Sequence, residues 1–94
     1  MEIWSNKDPD ELIDYEFDWA TNRLEVGETI DVSTVTVVEG DVIIDSTPPE
    51  SNGIQKVFLR GGSLDTWQVI MNHVETSYGR KYDLFATLKV VARP

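Results

Sequence analysis

The last third of the chain leaves few folds open. Residues 66–77 and 82–91 read as two strands joined by Tyr78-Gly79-Arg80-Lys81. Val69, Ile70, Val74 and Thr76 are β-branched, while Leu84, Ala86, Leu88 and Val90 alternate with Asp83, Phe85, Thr87 and Lys89. A period of two in that composition fits a long antiparallel hairpin with one buried face. A competing pattern runs through the same residues. Ser63, Leu64, Trp67, Met71, Val74 and Tyr78 fit helical spacing, with Ser63 as N-cap and Gly79 as C-cap. Periodicity alone leaves strand and helix both open over 63–78.

Upstream, Ile13, Tyr15, Phe17 and Trp19 alternate with Asp14, Glu16 and Asp18, the clearest strand pattern in the chain. Gly27 marks a turn, and residues 29–38 are dense in Val, Ile and Thr, which predicts a second strand. Ile30 and Val32 share one parity and Val35 and Val37 the other, so a bulge is expected near Ser33-Thr34. Glu39-Gly40-Asp41 turns the chain into a short strand, Val42-Ile43-Ile44, and residues 46–53, with Pro48-Pro49 and Asn52-Gly53, read as a loop. Residues 54–60 place Val57 and Leu59 on one face and Lys56, Phe58 and Arg60 on the other, and Gly61-Gly62 ends that strand. Short strands with turns at intervals of roughly ten residues predict a β-sandwich or small barrel. A chain of 94 residues supports one such core, hence a single domain over 1–94.

Charge narrows the partners. Seventeen acidic residues against eight basic ones give a formal net charge of −9 and a pI near 4.3. Such a surface repels phosphate backbones and anionic lipid heads, which excludes nucleic acid and membranes and favours a neutral or basic protein surface. Cysteine is absent, so packing without disulfides must hold the fold. The first residues lack the basic-then-apolar pattern of a signal peptide, and no apolar run reaches membrane-spanning length.

Several segments in order carry a resemblance. They are Trp4 with Lys7-Asp8-Pro9-Asp10-Glu11, the strand ending Phe17-Asp18-Trp19, the turn around Gly27, Val57-Phe58-Leu59-Arg60-Gly61-Gly62, and Asn72-His73-Val74-Glu75-Thr76-Ser77-Tyr78-Gly79-Arg80. Together they resemble a family of small bacteriophage and prophage virion structural proteins, and the likeness runs nearly end to end. It implies an immunoglobulin-like antiparallel β-sandwich of about seven short strands, and it decides 63–78 in favour of strand. It also implies contacts with phage structural proteins of the capsid, neck or tail, and residence in the virion after assembly from the host cytoplasm. Trp67-Gln68 stands where the family usually opens a strand on tyrosine, and Val35 where it often has tryptophan. Trp67 is therefore expected to take the corner role through its indole N–H, with Trp19 and Trp67 in the core.

No residue set carries identifiable chemistry, so no catalytic group, metal or cofactor is expected. Asp14, Glu16 and Asp18 fall at intervals of about 7 Å, a spacing shared by glycosidase carboxylates, but alternation of this kind is also the solvated face of any half-buried strand. Asp8-Pro9-Asp10-Glu11 reads as a capped turn rather than a Ca²⁺ loop, since no glycine-containing calcium motif surrounds it. His73 is the only histidine, and no serine sits in a nucleophile elbow. Expected contact residues are Trp4, Asp8, Asp10, Tyr78 and Arg80, with residues 1–11 as a docking arm ordered on binding. On that view, deleting residues 1–7 abolishes incorporation into particles. Edge-strand pairing between copies, giving a homo-oligomer, is a second mode, and a carbohydrate- or cell-surface-binding module is the alternative function.

Overall fold

The computed structural model describes residues 1–92, which form seven strands and one helical turn. In chain order these are β1 (Glu2–Ile3), β2 (Ile13–Asp18), α1 (Trp19–Asn22), β3 (Ile30–Glu39), β4 (Val42–Ser46), β5 (Ile54–Gly61), β6 (Thr66–Thr76) and β7 (Lys81–Val90). A four-stranded sheet has the order β1-β7-β6-β3, and a three-stranded sheet the order β2-β5-β4. β1 runs parallel to β7, and every other pairing is antiparallel. One core lies between the sheets, built from Tyr15, Phe17, Val57 and Leu59 of the smaller and Ile70, Val74, Ala86, Leu88 and Val90 of the larger. The pairing orders β2-β5-β4 and β3-β6-β7 are those of the B-E-D and C-F-G strands in an immunoglobulin constant-type sandwich.

Residues 66–76 are strand, not helix, because β6 is the centre of the larger sheet. It pairs with β7 from Thr66↔Val90 to Glu75↔Lys81 and with β3 on its other side. Gln68, Ile70, Asn72, Val74 and Thr76 point inward and are buried. Three of those five are polar, and all are satisfied. Asn72 Oδ1 accepts the Trp19 indole N–H at 2.6 Å, and its Nδ2 donates to Ser33 Oγ and the Thr34 carbonyl, both at 2.9 Å. Gln68 Oε1 accepts the backbone N–H groups of Asp41 and Val42 at 2.7 and 3.0 Å. Gly40, at φ 107°, has no room for a Cβ because Gln68 Oε1 fills that position.

Trp19 is in the core as expected. Trp67 is not; it lies on the outer face and is 58% exposed. Burial on β6 falls on even-numbered residues, so the neighbouring Gln68 points inward and ties the strand to the β3–β4 turn in the way expected of Trp67. Two further corrections are local. The parity change in β3 is real, but the extra residues are Asp31 and Val38, not Ser33-Thr34: the register shifts lie between Ile30 and Val32 and between Val37 and Glu39. And β2 ends at Asp18, whose carboxylate caps α1 by accepting the Thr21 N–H, so Trp19 enters the core from a helical turn.

Trp19→Phe keeps an aromatic side chain but removes the donor and some volume, leaving a buried Asn72 oxygen without its partner. The expected loss of unfolding free energy, measured by urea denaturation, is about 1–3 kcal/mol.

Candidate functional site

The five expected contact residues fall into two groups at opposite ends of the β6–β7 hairpin. Lys7 pairs beside Val90 at one end, while Tyr78 and Arg80 lie in and just beyond the turn at the other. The long dimension of the molecule is 44 Å, and nothing brings the groups together.

At the first end, residues 2–7 lie along β7 of the larger sheet. Trp4 N–H donates to the Thr87 carbonyl at 2.8 Å, Lys7 N–H to Lys89 at 3.0 Å, and Val91 N–H to Lys7 at 2.8 Å. The Trp4 ring stacks on Tyr15 at 4.7 Å and meets Phe17 edge-on at 4.8 Å. Lys7 is fully buried, and its ammonium donates to the Asp8 and Gly61 carbonyls, each at 2.8 Å, which ties the N-terminal segment to the end of β5. Burial lowers the Lys7 pKa from its ordinary value, opposed by the charges of Glu11, Asp8 and Asp10. Those acids also close their own turn: Asp8 Oδ1 accepts the Asp10 N–H and Glu11 Oε1 accepts the Asp8 N–H.

At the second end, Tyr78 and Arg80 clamp the 24–29 loop. The Tyr78 hydroxyl donates to the Val26 carbonyl at 2.7 Å, and Arg80 bridges Glu25 and Glu28, each at 3.4 Å. Glu28 is buried; hydrogen bonds from the Thr76 hydroxyl and the Glu25 N–H hold its carboxyl below the usual range. An open recess of about 560 Å³ beside this loop is lined by Leu24, Val26, Glu28, Glu50 and Gly53 among others, and none of its lining residues is aromatic.

Apolar and aromatic side chains also gather on the outer face of the larger sheet. Odd-numbered residues of β6 and β7 point outward, and cross-strand register stacks them in rows. Ile3, Thr87 and Val69 form one row, Phe85, Met71 and Thr36 the next, and Trp67 sits beside Lys89 at the end, the ammonium 5.9 Å from the ring centre. Ile3 is 79% exposed and Phe85 37%. The outer face of the smaller sheet is more charged, carrying Asp14, Glu16, Lys56 and an Arg60–Asp45 ion pair at 3.3 Å beside Phe58 and Ile43. Trp67 and Phe85 are separated by the Val69–Thr87 row. One-sided patterning does not mark this face, because three of the five inward residues of β6 are polar while Trp67, Val69 and Met71 point outward. The exposed pair Trp67 and Phe85 was legible only as a violation of one-sided patterning.

His73 closes the row beyond Met71. Its ring lies between two carboxylates, Nδ1 2.6 Å from Asp83 and Nε2 3.4 Å from Glu75. Hydrogen bonds to Asp83 first and Glu75 second raise its pKa above the ordinary 6.5. Among the described residues, no group of three or more His, Asp or Glu side chains is placed to hold a metal ion.

A family model described as podophage GP4 fiber-tail adaptor protein gp77 matches residues 7–89. The chain belongs to that family. No curated protein matches it. Membership makes this gp77-family chain a structural protein of a phage virion. The match begins at the buried Lys7 and ends at Lys89, so it spans β2 to β7 almost completely.

Two outcomes are expected for this gp77-family chain. Removing residues 1–7 takes away Trp4 stacking and the Lys7 bonds, and unfolding free energy measured by urea falls by at least about 2 kcal/mol. His73 binds its proton more tightly folded than unfolded, so its contribution to stability is complete below pH 6.5 and lost as pH rises through the raised folded-state value. His73→Gln should flatten that slope in unfolding midpoints measured across the range.

Proposed function

We propose that the chain is a non-enzymatic adaptor that joins a fiber to a podophage tail, docking through the outer face of its larger sheet. One observation carries this reading. On a protein of net charge −9, Ile3, Val69, Met71, Phe85 and Trp67 form an apolar face, and apolar and aromatic clusters of this kind anchor protein interfaces. The family description supports the adaptor role. Strand pairing order supports an immunoglobulin-like sandwich, and the reading takes the chain as a single domain that leaves the host cytoplasm at assembly. Trp4, Asp8 and Arg80 shape its two ends, and the more exposed Asp10 and Tyr78 form the rim of the contact surface.

Phage carrying Trp67→Asp or Met71→Asp test the reading by quantitative mass spectrometry of purified particles. Both variants should lower the amount of this chain and of fibers in particles by about ten-fold or more. Arg60→Glu, on the opposite sheet, should leave both unchanged. The isolated variants should keep the wild-type circular dichroism. Particles of the Trp67 variant with full fiber content would overturn the docking face.

A further inference from the structure

The other open surface of the larger sheet is its edge. β3 pairs with β6 alone, and among the described residues no strand is bonded to its far side. Between the extra residues Asp31 and Val38 the run Val32–Val37 keeps unbroken register with Glu75–Ile70. That run has no formal charge and consists of Val, Thr and Ser. Flat, β-branched, uncharged backbone at a sheet edge is a template for another strand.

What the edge accepts is set by its ends. Asp31 and Glu39 are exposed, one at each end of the run. Antiparallel pairing of two copies about Val35 would set Asp31 opposite Glu39 of the second copy, and Glu39 opposite its Asp31. Like charges directly opposed across strands are destabilising, and two chains of net charge −9 repel further. The bulges also twist the ends of the strand away from a matching edge. These features stand against self-pairing, the mode expected from sequence, and leave the centre open to a different strand.

We propose that the β3 edge accepts an extended segment of another virion protein, β-branched at its centre and carrying Lys or Arg at both ends. Added there, the segment would extend the sheet beside the Thr36–Met71–Phe85 row and widen the docking face. The identity of the partner as a virion protein rests on the adaptor reading; the pairing itself does not.

The test uses the full chain and two synthetic peptides, three Val-Thr repeats flanked by lysine or by glutamate, with amide hydrogen exchange and NMR titration as readouts. The lysine-ended peptide should slow exchange of β3 amides and bind about ten-fold tighter than the glutamate-ended one, from two end pairs of modest strength. Asp31→Lys combined with Glu39→Lys, both on the surface, should invert that preference. Protection of another edge, or equal binding of the two peptides, would overturn the acceptor. So would a preference that ignores the charge reversal. A negative result here alongside fiber loss in the Trp67 variant would reject the acceptor and leave the adaptor reading standing.

Discussion

The hydrogen bond from the Trp19 indole to Asn72 is the constraint on which the rest of the sandwich depends. It crosses the core from the end of β2 to the middle of β6, and the remaining Asn72 donors reach β3. A buried amide is costly unless every polar atom is paired, so this cluster admits one arrangement of three strands. Trp19 can reach it only because Asp18 stops the strand and caps a helical turn, whose first two N–H groups bond the Gly53 carbonyl. Local capping, the β4–β5 loop and the core amide thus fix the same geometry.

Much of the fold is legible in the residues themselves. The alternation of β2 carries its own face assignment, since Tyr15, Phe17 and Trp19 are large and apolar and their neighbours are carboxylates. The loop at Pro48-Pro49 and the hairpin turn at Gly79 fall where backbone chemistry demands them. β6 is where reading fails, and the reason is physical. Its inner face mixes hydrogen-bonded and apolar residues, so Gln68, Asn72 and Thr76 point into the protein beside Ile70 and Val74 while Trp67, Val69 and Met71 point outward. Hydropathy cannot distinguish a paired amide from a hydrated one, and apart from Thr66 the partners that pair these amides come from 26 or more positions away in sequence.

The expected contact residues also have partners within the molecule. Trp4 and Tyr78 attract attention because they stand outside clean alternation, yet each is employed in closing an end of the molecule. Lys7, beside an acidic turn, has its ammonium buried against two carbonyls. The face that stays free is the one whose side chains the hairpin pattern had already assigned to a strand.

The parallel pairing of β1 with β7 has a mechanical consequence. In a parallel pair the two strands point the same way, so tension that pulls the N-terminal and C-terminal segments apart runs along them and not across them. The bonds from Trp4 to Thr87, from Lys7 to Lys89 and from Val91 to Lys7 would then bear load together, in shear. They could not open one after another like a zipper. A seam only a few residues long therefore resists force out of proportion to its length.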